Sequence, residues 1–184
     1  ALKAAWEAVE IYRGLAKGSP DAFNPELARS LSNLSNQLSD VGDRGGALKA
    51  IREAVEIYRG LVAGDPAAFS PELAGSLNNL SIRLSRVGDS EGGLKASQEA
   101  VEIWRGVAEK NPVVFNLNLA MSLNTLSNWL SEVGDRGGAL EPIREAVGIY
   151  RGLVAGNPAA FNPDLAALLN NLSIRLADVG DRGG

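Results

Sequence analysis

The chain has no cysteine and no histidine among its 184 residues. Without cysteine there is no disulfide, no thiol nucleophile and no sulfur-ligated metal; without histidine the commonest metal ligand and general base is missing. Aromatic residues make up 5% of the sequence, and no apolar run approaches the ~18–20 residues that a helical membrane span requires. Lys and Arg number 18 against 22 Asp and Glu, a net charge of −4, so no basic stripe is offered to nucleic acid. The hydrophobic share, 45%, is ordinary for a folded protein. The chain is therefore expected to be soluble, with a cytoplasmic location, no cofactor, no metal, no membrane contact and no nucleic-acid partner.

What is present is a repeat. Val-Gly-Asp begins at Val41, Val87, Val133 and Val179, a period of 46 residues that divides the chain into 1–46, 47–92, 93–138 and 139–184. A period in the range of roughly 20–50 residues signals stacked units, each packed only on its neighbours. Residues 1–184 are accordingly expected to form one continuous solenoid domain. The chain starts at Ala1 without Met and stops inside a recurring motif, which reads as a fragment of a longer array.

Two helices alternate in each period. Leu73, Leu77, Leu80, Leu84 and Val87 recur at four- and three-residue steps and mark one face of a helix, termed helix A. Its start is expected at Ser70-Pro71-Glu72, with Ser as N-cap and Pro in the first turn; Asn24-Pro25-Glu26 and Asn162-Pro163-Asp164 repeat the signal. Asn116-Leu117-Asn118 lacks the proline and acid, so that start should be the least sharply fixed. Gly88 is expected to end helix A in the left-handed region and Asp89 to cap a second helix, helix B. Leu48, Ile51, Val55, Tyr58 and Val62 mark its apolar face. Glycine pairs such as Gly45-Gly46 and Gly92-Gly93 weaken its first turn, and the helix is expected to begin late; Pro142 agrees with that. Gly14, Gly60, Gly106 and Gly152 lie deep inside helix B, which favours close approach of a neighbouring helix over a hinge. Phe23, Phe69, Phe115 and Phe161 fall after a second set of prolines and read as plugs within the connecting loops.

Leu31, Leu34, Ser35, Leu38, Gly42, Asp43, Ala47, Ile51 and Ala54 fall at or beside the spacing of the tetratricopeptide repeat. Ser76-Leu77-Asn78-Asn79-Leu80 followed by a long second helix is most similar to the kinesin-light-chain type of that repeat and its bacterial relatives. The aromatic position of helix B is a departure, being Ile51, Ser97 or Ile143. The usual period is about 34 residues, so this one is longer by roughly a dozen. The resemblance implies an all-α, right-handed α-solenoid of antiparallel helix pairs.

It also implies a concave groove lined by helices A and a role as a non-catalytic protein–protein interaction scaffold. The groove residues would be Arg29, Ser32 and Asn36; Asn78 and Ile82; Asn124 and Asn128; and Asn170 and Ile174. Asparagine both donates and accepts, so such a row suits the backbone of an extended peptide. Asn33, Asn79 and Asn171 are instead assigned to bonding the backbone of an adjacent repeat. No helix A position carries the lysine with which some family members clamp a partner's C-terminal carboxylate. Trp6 and Trp129 replace polar residues of the other repeats, where an aromatic can anchor a contact and where drift on a partly covered face is the simpler account. Asp43, Asp89, Asp135 and Asp181 recur regularly but lie one repeat apart, too far to share an ion, and are read as caps. The alternative function is a structural or regulatory spacer that self-assembles within a larger signalling protein. Both ends lack a polar capping helix and read into one another, so head-to-tail association is expected.

Overall fold

The computed structural model describes residues 1–180 and contains, among them, eight helices and no strand. These are α1 (Leu2–Gly18), α2 (Pro20–Asp40), α3 (Arg44–Gly64), α4 (Pro66–Ser85), α5 (Ser90–Lys110), α6 (Pro112–Glu132), α7 (Leu140–Gly156) and α8 (Pro158–Asp178). Helices A are α2, α4, α6 and α8; helices B are α1, α3, α5 and α7. The chain divides into two compact units, residues 1–96 and 97–184. In the first, Val9, Leu31, Leu34, Leu38, Ile51 and Val55 form the centre of a core drawn from α1, α2 and α3, against which Phe23 and Leu80 pack. In the second, α6 packs on α7 and α7 on α8, with Leu123, Ile143, Val147 and Tyr150 buried. The connections are a few residues long, so consecutive helices run antiparallel.

Helix A starts earlier than the sequence suggests. Pro20, Pro66, Pro112 and Pro158 occupy the first helical turn, and Pro25, Pro71 and Pro163 lie inside the helix. In three of the four repeats two prolines satisfy a helix-start rule, and before the first of them the N-cap side chain closes a bond in α4 and α8, though not in α2 or α6. Asp65 accepts from Ala68 N at 3.0 Å and Asn157 from Ala160 N at 3.2 Å. The second proline removes one bond, to the carbonyl four residues back, which sits in the solvated first turn where it needs no helical donor. Asn116 is therefore inside α6, and the start of that helix is set by Pro112 like the others. The phenylalanines are not loop plugs but first-turn residues. Two of them pack on the aromatic of the preceding helix B, Phe115 on Trp104 at 5.9 Å and Phe161 on Tyr150 at 6.3 Å between ring centroids.

The turn from A to B follows the sequence reading. Gly42, Gly88, Gly134 and Gly180 all have positive φ, between 78° and 89°, and Asp43, Asp89 and Asp135 each accept a bond from the amide three residues on. Asp181 lies outside the described residues. The glycine pairs do not delay α3 or α5, which begin at Arg44 and Ser90 directly after the aspartate; α7, although Asp135 makes the same bond, starts late, at Leu140 with Pro142 in its first turn. The glycines deep in helix B are not points of close approach. A Cβ built on Gly14, Gly60, Gly106 or Gly152 meets nothing within 4 Å, and all four are exposed.

Candidate interaction face

In the first unit α2 contributes Arg29, Ser32, Asn33 and Asn36, spaced three or four residues apart so that they share one helical face. From α4 come Asn78, Asn79 and Ile82. The two helices are stitched by side chains. Arg83 is 9% exposed; its Nη2 donates to Asn36 Oδ1 at 2.8 Å and its Nε to Ser35 Oγ at 3.4 Å. Arg86 Nη1 donates to Ser39 Oγ at 2.6 Å, and Ser32 and Ser76 meet at 3.4 Å. Burial, then the neighbouring Arg86 charge, lowers the Arg83 pKa from its usual value. Arg29 pairs with Glu26 at 3.3 Å and lies beside the buried Tyr58. The Tyr58 phenol is pushed above its usual pKa by burial and by Glu72 and Glu26, against the opposing pull of Arg29.

The second unit repeats the device. Arg175 Nη2 donates to Asn128 Oδ1 at 2.9 Å and Asn171 Nδ2 to Asn124 Oδ1 at 3.0 Å. Asn171 thus bonds a neighbouring repeat, but at the side chain of Asn124 and not at the backbone expected of it. Asn170 and Ile174 of α8 are exposed, as is Met121 of α6. Trp129, at the slot that Arg83 and Arg175 occupy in their repeats, is only 3% exposed. It is a core residue and not an anchor for a partner; Trp6, by contrast, is 44% exposed.

Several features escaped the sequence reading. The arginine that precedes the inner glycine of helix B reaches the next helix B: Arg13 meets Glu53 at 2.8 and 2.9 Å, and Arg105 meets Glu145. The 40-residue separation repeats, and that recurrence was the available signal. Bonding to Glu53 raises the Arg13 pKa, and bonding to Glu145 that of Arg105. The buried serine of helix A also ties the pair together, Ser35 Oγ to the Ala47 carbonyl and Ser127 Oγ to the Ala139 carbonyl, each at 2.8 Å. Shallow hollows lie on each unit, about 360 Å³ between α1 and α2 and about 540 Å³ beside Pro112, Ile149, Gly152 and Phe161. No cluster of His, Cys, Asp or Glu suited to a metal occurs among the described residues, and none of their helices is long and apolar enough to cross a membrane.

A family model described as tetratricopeptide repeat matches residues 27–65 and 119–156. These segments hold the pairs α2–α3 and α6–α7, each with its Gly-Asp turn. The chain is a tetratricopeptide-repeat protein. No curated protein sequence matches it. Solved structures similar to this tetratricopeptide chain include the nearly identical TPR-like repeats of a Podosopora anserina kinesin light chain, with a TM-score of 0.65, 16% identity, and 97% of this chain and 80% of that one covered. BtubC (BKLC) from P. vanneervenii matches with a TM-score of 0.54 at 19% identity, over 98% of this chain and 83% of that one. The apo form of RapI gives 0.66 at 19% identity, over 96% of this chain and 61% of that one. At such identities the likeness is one of fold, an all-α repeat solenoid. Tetratricopeptide repeats are in general interaction scaffolds without catalysis.

Proposed function

We propose that the helix A faces bind an extended peptide or partner segment. The observation that carries this reading is the exposure of isolated apolar side chains on otherwise amide-rich helices: Ile82 is 41% exposed, Met121 56% and Ile174 52%. Each stands one or two helical turns from asparagines, so an extended chain would place a side chain on the isoleucine or methionine and its backbone on the amides. Asn36, Asn124 and Asn128 hold neighbouring side chains and stiffen the face; Arg29, Ser32, Asn78, Ile82, Asn170 and Ile174 make the contact. The reading requires no cofactor, metal or catalytic step.

Titration against a library of extended peptides tests it. A saturable binder should lose at least about tenfold in affinity, near 1.4 kcal/mol, in Ile82→Arg or Ile174→Arg, with the thermal midpoint unchanged. Absence of any saturable binder, or binding indifferent to both substitutions, would sink the proposal.

A further inference from the structure

We propose that Arg83 and Arg86, one turn apart at the end of α4, form an anion site that takes a phosphate group. The site lies within the first unit and does not depend on the peptide reading. Arg83 is 9% exposed, and its partners are neutral: Asn36 Oδ1 at 2.8 Å and Ser35 Oγ at 3.4 Å. A guanidinium taken out of water is costly unless an opposite charge meets it. Among the described residues no carboxylate pairs with Arg83 or with Arg86. The fourth repeat holds the same arginine with its charge balanced. Arg175 donates to Asn128 as Arg83 does to Asn36, but it also pairs with Asp178, three residues on, at 3.4 Å. The position of Asp178 is Asp40 in the first repeat and Glu132 in the third; in the second it is Arg86. The slot that neutralises Arg175 is thus inverted beside Arg83, and the Arg86 charge lowers the Arg83 pKa.

The two side chains are held in place by neutral groups. Arg86 Nη1 donates to Ser39 Oγ at 2.6 Å, and Arg44 Nη1 donates to the Arg86 carbonyl at 3.2 Å, which brings a further exposed cation to the same corner. Arg86 stands at the C-cap of α4, where the helix dipole favours a cation; that accounts for Arg86 alone and leaves Arg83 without a counter-charge. The nearby acids do not supply one. Asp43 is committed to the Gly46 amide at 2.9 Å, and Asp40 acts on Arg83 from beyond ion-pair range. These bonds leave Arg83 Nη1 and Arg86 Nε and Nη2 as donors with no partner among the described residues, and Arg83 Nη1 is not sealed from solvent. A carboxylate carries one charge and balances one arginine, as Asp178 does. A phosphate monoester carries about −1.5 to −2 at pH 7 with three acceptor oxygens, which matches two guanidiniums. A phosphorylated side chain of a partner and free phosphate offer the same chemistry to this corner.

Nitrogen-15 spectra of the arginine Nε–H groups read the site directly. Inorganic phosphate and a short phosphoserine peptide are each titrated at pH 7, with sodium chloride holding the ionic strength constant. Arg83 and Arg86 should shift saturably, while Arg13 and Arg105, already held by Glu53 and Glu145, should not. Arg86→Asp restores at an exposed position the acid of the other three repeats. It should weaken binding by about tenfold or more and raise the thermal midpoint measured without phosphate, because Arg83 gains the partner that Arg175 has. Arg86→Gln, which removes the charge and adds no ion pair, should weaken binding without that rise. Tighter binding of the peptide than of inorganic phosphate supports the site with a phosphorylated partner as its source; equal binding supports it with free phosphate as its source. The proposal is overturned by the absence of a saturable shift, by equal shifts at every exposed arginine, or by binding that survives both substitutions.

Discussion

At the scale of single residues, the A-to-B turn shows how one side chain constrains its neighbours. Asp43 folds its carboxylate over the start of α3, and a Cβ on Gly46 would run into it; on Gly92 a Cβ would lie 2.6 Å from Asp89 Oδ2. The glycine three residues after the aspartate, Gly46, Gly92 or Gly138, is thus the space in which the cap sits. Gly45 is different, since a Cβ there comes no nearer than 3.9 Å to the same carboxylate. Gly46→Ala should therefore destabilise by about 1 kcal/mol through loss of the cap, while Gly45→Ala should stabilise by about 0.5–1 kcal/mol through helix propensity. Opposite shifts of the urea midpoint would confirm the pair, and shifts of the same sign would refute it. The cap and the left-handed glycine were legible because they are local: three residues contain both the donor and the acceptor. The clash with the glycine three residues on was not, because it depends on which way the aspartate points.

At the scale of the helix, the asparagines divide by what reaches them. Asn36 accepts from the buried Arg83, which also donates to Ser35 at the longer distance of 3.4 Å. Asn36→Ala should therefore cost the first unit about 1–2 kcal/mol, read as a lower unfolding midpoint. Ile82→Ala, removing an exposed side chain on α4, should change stability by less than about 0.5 kcal/mol. Equal losses would contradict this division of labour. Sequence placed both residues on one helical face from their spacing. It could not separate them, because the partner of Asn36 lies 47 residues away and helical periodicity says nothing of such a distance. The same limit explains the helix A starts. Two prolines in three of the four repeats obey the start rule, and packing of Phe115 on Trp104 and of Phe161 on Tyr150 agrees with the earlier one.

At the scale of the molecule, the missing histidine sets the response to pH. No side-chain type present has an ordinary pKa between about 5 and 8, so stability should be nearly flat through neutrality. The alkaline side differs. Burial raises the Tyr58 and Tyr150 phenols above their usual value, with Glu72 adding at Tyr58 and Asp164 at Tyr150. A raised folded pKa means that the unfolded chain gives up the proton first. The stabilising contribution is whole below about pH 10 and is lost as pH rises through the folded values. The urea midpoint should fall between pH 9 and pH 11, roughly the span of the phenol titration, and fall less in Tyr58→Phe/Tyr150→Phe. An equal fall in the double variant would show that the loss lies elsewhere.

The sequence by itself determined the 46-residue period, the alternation of two helices, the left-handed glycine with its capping aspartate, and the apolar face of each helix. All of these follow from interactions within one or two helical turns, repeated four times. Tertiary structure decided what periodicity leaves open. It put Trp129 in the core, left Gly60 facing open space, gave Asn36 and Asn128 to buried or half-buried arginines, and paired Arg13 with Glu53. Each of these depends on a residue roughly one repeat away. A helical pattern fixes which side of a helix is apolar, but only the packed neighbour fixes which polar groups are used up and which stay exposed.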